Sequence, residues 1–434
     1  MTPTGRAELR RSISVPHDGT LLRRILVFLG PGYLVATGYM DPGNWATALA
    51  AGSKFGAALL FVAVLSSLMA IVLQSLAVRL GVGAGLDLAQ VCREHTPFPA
   101  AVGLWLLAEA GIFATDLAEV IGTAIGLELL FGLPLAIGVL VTALDAFLVL
   151  AFERLGFRKL ELFVGAMLLL IGLSFAAQLA MARPDMQAVA QGLIPSRQFL
   201  TDPEMLYLGL GILGATVMPH NLFLHSFVVQ TRAVGVSTEK KREAIRFAVI
   251  DSAIALLFAL LVNGAILVLA AAAFHAHGHT EVAELDKAHS LIAPLLGAPL
   301  AATLFALALI ACGLNSTVTA TLAGQVVMEG FIRLRLQPAT RRLVTRVIAI
   351  APAVAVTLSA GESATARLLI LSQVVLSLTL PFAMVPLILF TARRKIMGAL
   401  VAPRRTTLLA GAIAALIIAL NAKLVWDALA GAAL

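Results

Sequence analysis

Residues 39–47 read YMDPGNWAT. They interrupt an apolar run that begins ILVFLGPGYLVATG at 25–38 and resumes WATALAA at 45–51. Asp41-Pro42-Gly43-Asn44 is turn chemistry of the kind that punctuates surface loops. Here it stands where a membrane-crossing helix should have its middle.

The surroundings make that placement costly. The chain has 434 residues, of which 60% are hydrophobic and only 13% charged, and its mean hydropathy is +0.97. A soluble domain carries about 25% charged residues. Apolar stretches of roughly 20 residues or more, each long enough to cross a bilayer, recur down the chain. We read eleven spans, at 25–53, 57–80, 99–131, 133–152, 159–182, 205–231, 246–274, 297–330, 343–360, 364–391 and 406–430. Positive charge alternates with them. Arg6, Arg10, Arg11, Arg23 and Arg24 share one side with Arg154, Arg158, Lys159, Lys240, Lys241 and Arg242. Arg393, Arg394, Lys395, Arg404 and Arg405 fall there too, which predicts a cytoplasmic N-terminus and an outer C-terminus. The net charge of +7 is thus explained by topology, and no nucleic-acid partner is expected. The first apolar run has no small-residue cleavage pattern of a signal peptide. Cys92 and Cys312 fall in an inner loop and within a span, which argues against a disulfide.

A second interruption explains the first. Inside the sixth run lies GATVMPHNLFLHS, residues 214–226. Laid on the first break, Asp41-Pro42-Gly43-Asn44 falls on Met218-Pro219-His220-Asn221, so Pro meets Pro and Asn meets Asn. Gly38 falls on Ala215. Corresponding breaks five spans apart give two copies of opposite orientation in the membrane. That is the pattern of inverted-repeat transporters, whose site lies near the bilayer midplane between two discontinuous helices.

Pro at each break removes a backbone donor and frees carbonyls of the preceding turn, at the negative end of a half-helix dipole. Gly38 and Ala215 are placed to offer such carbonyls, and Gly43 is expected to let the chain turn. With Asp41 the site is rich in acceptors and suits a cation. Asp41 and Asn44 give hard oxygens, whereas Met218 gives a thioether of no use to Ca²⁺ or Mg²⁺. The mixed set points to a transition ion such as Mn²⁺ or Fe²⁺.

DPGNWAT with MPHN resembles the Nramp family of proton-coupled divalent metal transporters, especially its bacterial manganese members. The likeness extends to ATDLAE at 114–119, TLAGQVVMEG at 321–330 and SQVVLS at 372–377. It implies an all-α polytopic membrane protein of the LeuT-type fold, two inverted five-helix repeats plus an eleventh transmembrane helix. The expected divisions are a cytoplasmic tail at 1–24, repeats at 25–182 and 205–391, and the last helix at 406–430. It implies metal ligands at Asp41, Asn44, Met218, the Ala215 carbonyl and Gln373, with Gly38 beside them. The bacterial inner membrane is the expected location, with metal ion and protons as transported partners. Neither a resident cofactor nor an ATPase subunit is expected.

Proton movement has its own candidates. Glu109, Asp116 and Glu119 share one face of the third span over roughly 15 Å of axis. Carboxylates inside a span are costly unless they meet water or positive partners. The resemblance implies that Asp116 and Glu119 belong to a proton route apart from the metal pore, with Arg341 or Arg342 at its inner end. His220, within the second break, is an imidazole, a group that exchanges protons near neutral pH. His225 stands between a pathway role and a helix contact. Asp251 is expected to pair with inner-gate residues that the sequence does not name. Asp145 has no assigned role. The stretch FHAHGHTEVAELDKAHS at 274–290 reads as a solvated outer loop, with metal capture as the lesser alternative.

Two other classes remain. A sodium- or proton-coupled amino-acid symporter on the same fold would aim Gly-rich half-helix N-termini at a substrate carboxylate, without a resident Asp. A metal-dependent intramembrane enzyme would need a second metal-spaced His, and no H-E-x-x-H occurs.

Overall fold

The computed structural model describes residues 13–14, 30–144, 157–333 and 338–431. Within 338–363 several positions, Arg341 and Arg342 among them, are described by backbone alone. Asp145 lies outside the described residues.

Helices account for nearly all of the ordered elements. The first expected span is split into α1 (Pro31–Ala36), a 3-10 turn (Gly38–Met40) and α2 (Pro42–Phe55). Then come α3 (Leu60–Ala84), α4 (Leu88–His95), α5 (Phe98–Phe131), α6 (Leu135–Val141), α7 (Phe157–Ala182) and α8 (Met186–Gly192). The sixth expected span is likewise split, into α9 (Pro203–Val217) and α10 (Pro219–Val228). The longer helices that follow are α11 (Thr238–Ala273), α12 (Leu285–Leu296), α13 (Pro299–Ile332), α14 (Pro338–Thr391) and α15 (Arg404–Leu429), and single helical turns stand at Gln198–Thr201 and Arg394–Met397. The pairing of Ile13–Ser14 with Arg232–Ala233 is parallel and two residues long.

Among the described residues, eight helical stretches are long and apolar enough to cross a membrane. One of them, Pro42–Ala84, holds the end of the first expected span and all of the second, turned at Gly56 with φ +59°. The ninth and tenth expected spans fall in α14, whose helical backbone runs for 54 residues. Only Gly361, Glu362 and Ser363 stand between them, and one glycine costs a helix only about 1 kcal/mol against alanine. Of the fourth expected span, 133–152, only the part to Leu144 is described.

The packing encloses both breaks. From Leu208 to Val229 the α9–α10 stretch is buried without interruption. The longest contact runs are α5 along α13 and α14, α9 along α14, and α11 along α3 and α2. α5 touches both breaks. A Cβ at Gly122 would overlap the Pro42 ring, and one at Gly111 would stand 3.4 Å from the Pro219 ring. Asp116 and Glu119 lie between those two contacts.

Candidate metal site

At the first break, Ala36 ends α1 and the chain tightens through Gly38–Met40 into an extended Asp41 (φ −65°, ψ 161°). Pro42 then starts α2 where its missing N–H leaves no helical bond unmade. Asp41 caps α2: its Oδ1 accepts from the Asn44 backbone N–H at 2.8 Å. At the second break Pro219 starts α10 in the same way, but Met218 before it has φ 29° and no capping side chain. A methionine at positive φ is a strained residue of the kind that gathers at functional sites.

The two breaks grip each other. Asn44 Nδ2 donates to Tyr39 O at 2.5 Å and across to Ala215 O at 3.1 Å. From the other side, Asn221 Nδ2 donates to Val35 O at 3.4 Å and to Met218 Sδ at 3.5 Å. Each asparagine thus reaches the last turn of the half-helix that ends at the opposite break. Gln373 of α14 completes the group, its Nε2 donating to Asp41 Oδ2 at 3.1 Å.

All of these residues are buried, Asp41, Ala215, Met218 and Gln373 completely. Asn44 spends its amide hydrogens on carbonyls, which leaves its oxygen to face elsewhere. Gln373 Oε1 is buried with no hydrogen-bond partner among the described residues. No Lys, Arg or His among them forms an ion pair with Asp41. A carboxylate, amides, a carbonyl and a thioether are thus gathered at the two breaks with no positive partner to Asp41 among the described residues, and a buried oxygen without a donor is costly. A cation resolves both deficits.

Gly38 and Gly43 act differently from the expectation. The Gly38 carbonyl accepts from the Asp41 N–H at 3.3 Å, and Tyr39 offers the carbonyl that two amides share. Gly43 lies inside α2 with no positive φ, so it is not a turn residue. Its hydrogen makes room for Gln373, whose amide occupies the space a Cβ would take, and the Asn221 amide does the same at Gly38.

The proton candidates divide. Glu119 is fully buried and accepts from Thr317 Oγ1 at 3.0 Å. Asp116 is buried on the same helix, and Glu109 is half-buried beside Trp105, whose Nε1 donates to it at 3.1 Å. His220 is fully buried, and neither ring nitrogen has a partner among the described residues. His225 Nδ1 bonds Gln74 Oε1 at 2.8 Å, and Gln74 in turn donates to the Tyr39 hydroxyl. The side chains of Arg341 and Arg342 lie outside what is described. Asp251 stands apart from the metal site: it accepts from the Gly32 N–H at 2.7 Å and so anchors the start of α1. Arg232 and Glu161 form an ion pair at 2.7 Å beside it, against Gly30.

In the stretch 274–290, which is helical from Leu285 onward, His275 Nδ1 bonds Ser53 O at 2.8 Å and His277 Nδ1 bonds Ala273 O at 3.1 Å. Burial lowers the His289 imidazole below its ordinary value. No three of its His, Asp and Glu side chains gather as a metal cluster among the described residues. Both cysteines are free.

Sequence reasoning passed over Asn221, Gln74, Asn263 and Cys312. Asn263 Nδ2 donates to Tyr39 O at 2.7 Å, and the Cys312 thiol donates to the Met40 carbonyl. Asn221 was visible as the counterpart of Asn44. Gln74 and Asn263 were marked only by being amides inside apolar spans, which is a signal in itself.

The family model for natural resistance-associated macrophage protein-like (Nramp) sequences matches residues 32–427. The chain belongs to the Nramp family. It is 59% identical over 421 residues to the divalent metal cation transporter MntH of Agrobacterium fabrum, covering 97% of this chain and 91% of that protein. To its Listeria monocytogenes namesake it is 51% identical over 420 residues, covering 97% and 94%. A crystal structure of an Eremococcus coleocola manganese transporter variant superposes with a TM-score of 0.88 at 39% identity, covering 96% of this chain and 89% of that one. A nucleobase–cation symporter superposes with a TM-score of 0.61 at 18% identity, covering 85% and 79%, a likeness of fold alone. This Nramp chain is a multi-pass membrane protein of the LeuT-type fold and a transporter rather than an enzyme.

Proposed function

We propose that this Nramp protein imports divalent transition-metal ions, Mn²⁺ foremost and Fe²⁺ with it, by alternating access driven by an inward proton gradient. The observation that carries the reading is the enclosed acceptor set at the paired breaks, with the Asp41 carboxylate at its centre and the Gln373 oxygen without a donor. Asp41, Asn44, Gln373, the Ala215 carbonyl and the Met218 thioether hold the ion, and Gly38 makes room for Asn221 beside them. The ion is cargo, and the protein needs no resident cofactor and no ATPase subunit. Protons travel by Asp116 and Glu119, with Glu109, His220 and Arg341 or Arg342 on the same route. The protein lies in the bacterial inner membrane with its N-terminus cytoplasmic and its C-terminus outside.

Proton coupling follows from the chemistry of the site. A carboxylate that holds a divalent ion has no use for a proton, and one that has lost the ion in a dry site gains from taking one. Glu119 and Asp116 provide acceptors beside the breaks, on the helix that touches Pro42 and Pro219.

The amino-acid symporter is disfavoured by a specific contact. It would need the N-terminus of α2 free for a substrate carboxylate, and Asp41 already occupies it.

The test is transport in proteoliposomes with a panel of divalent ions and an internal pH dye. Mn²⁺ uptake should rise with an inward proton gradient and acidify the lumen. Metal flux indifferent to the gradient would overturn the coupling, and absence of metal flux would overturn the transport reading.

A further inference from the structure

We propose that one ridge of α13, made of Thr317, Thr321, Gln325 and Glu329, carries the proton from Glu119 to the inner face. The inference rests on the proton coupling proposed above.

The four residues recur at every fourth position, and the residues between them are Ala, Val, Leu and Gly apart from Thr319 and Met328. Side chains four apart lie next to one another on a helix surface. From Thr317 to Glu329 the ridge rises about 18 Å. That distance exceeds half of the roughly 30 Å hydrocarbon core, enough to lead from mid-membrane to one boundary.

The contacts join the ridge at both ends. At mid-membrane Thr317 Oγ1 donates to Glu119 Oε2 at 3.0 Å, and both side chains are fully buried. One turn on, Thr321 Oγ1 donates to the Thr317 carbonyl at 2.6 Å. Gln325, 8% exposed, donates from Nε2 to Glu329 Oε1 at 3.1 Å. Glu329 is half-buried at the end of α13 that the charge pattern assigns to the cytoplasm. Arg93 of α4 donates to its backbone carbonyl at 3.5 Å and to that of Gly330.

Packing alone explains Thr317 and Gln325 poorly. Threonine can satisfy its hydroxyl on a carbonyl of its own helix, as Thr319 does with Ser316 O at 2.7 Å and Thr321 does with Thr317 O. Thr317 bonds a carboxylate on another helix. A buried Gln beside a Glu adds only about 0.2–0.5 kcal/mol as a helix pair, whereas polar groups in a span are costly and mark proton routes.

The transfer needs no reactant but water. A hydroxyl has one hydrogen and two lone pairs. When Glu119 carries the proton, the Thr317 hydroxyl turns its own hydrogen from Glu119 to the next oxygen and takes the Glu119 proton on a lone pair. That oxygen is the Thr321 hydroxyl or a water beside it, and waters held by Gln325 carry the proton on to the Glu329 carboxylate. One O–H bond forms for each that breaks. Glu329 becomes neutral and then returns the proton to the inner solution.

The variants are Thr317→Val, Thr317→Ser and Glu329→Gln, reconstituted as full-length protein. Mn²⁺ uptake and lumen acidification are recorded together. Wild type must first acidify the lumen when Mn²⁺ enters; if it does not, the coupling reading fails and this one with it. Given that response, Thr317→Val and Glu329→Gln should lose most of the acidification per ion carried, and Thr317→Ser should restore it. An unchanged ratio of proton to metal in Thr317→Val and Glu329→Gln overturns the ridge as a path, whether metal flux falls or holds. So does a ratio that falls equally in Thr317→Ser.

Discussion

The two breaks restart their helices alike, with Pro42 and Pro219 in the first helical position, and they treat the preceding residue in opposite ways. Asp41 sits in relaxed extended backbone and caps its own helix. Met218 sits at φ 29° with no cap. Strain of this type is worth roughly 1–3 kcal/mol and persists only where the surroundings over-determine it. The reciprocal Asn44 and Asn221 bonds supply part of that constraint. The lesson is a division of labour. The first break holds charge in a conformation that costs nothing, and the second places a soft neutral atom at some expense to its backbone.

The division predicts the largest effect at Asp41. Asp41→Ala removes the one carboxylate of the proposed ligand set and leaves amides, a carbonyl and a thioether for a divalent ion. Outer-shell residues of metal sites typically contribute about 10–100-fold in affinity, and a charged inner ligand should exceed that. Isothermal titration with Mn²⁺ should show no saturable binding. Retained binding within about tenfold would mean the second break holds the ion.

The asparagines sharpen the same contrast. Asn44→Ala deletes a proposed ligand oxygen and the bridge to Ala215, whereas Asn221→Ala deletes a bridge to Val35 and a contact to the thioether. Asn44→Ala should weaken Mn²⁺ more than Asn221→Ala, with the latter inside the roughly 10–100-fold range of supporting residues. Apparent affinities from uptake curves decide it. Equal losses would mean that the grip between breaks, and not the ligand atom, is what both residues supply.

The paired breaks were legible because Pro, Asn and Asp are conspicuous in an apolar run and because chain order alone revealed their correspondence. Asp41, Asn44 and Ala215 could therefore be placed together before any geometry. The role of Gly43 was misread for a physical reason. Local turn chemistry and close approach by a distant helix both favour glycine, and only the fold shows that Gln373 fills the space. Tyr39 was invisible because its carbonyl, not its side chain, receives Asn44 and Asn263. The positive φ of Met218 was equally hidden, since methionine has no preference for such backbone. Asp251 read as a gate residue in general, but its partner is a backbone N–H at Gly32, which no side-chain pattern encodes.

The smallest expected effect is at Met218, and it separates the thioether from the strain. Cells hold far more Ca²⁺ and Mg²⁺ than Mn²⁺, so a site of oxygens alone would mostly bind the wrong ion. A sulfur ligand helps Mn²⁺ a little and softer Cd²⁺ more, while for a hard ion it fills a coordination position with an atom that cannot replace water. Selectivity then rests on a difference of affinities. Met218→Ala and Met218→Gly both delete the sulfur, but only glycine accepts positive φ without steric cost. Mn²⁺ uptake should persist in both with affinity lower by roughly tenfold or less, about 1.4 kcal/mol. Cd²⁺ should suffer more, and Ca²⁺ or Mg²⁺ should begin to compete. The glycine variant should also unfold at a higher temperature than the alanine variant. The decisive measurement is Mn²⁺ uptake by both across a Ca²⁺ and Mg²⁺ titration. Competition in both variants assigns selectivity to sulfur. Discrimination that survives in both assigns it to the oxygen ligands, and discrimination lost in glycine alone assigns it to the backbone that the methionine holds under strain.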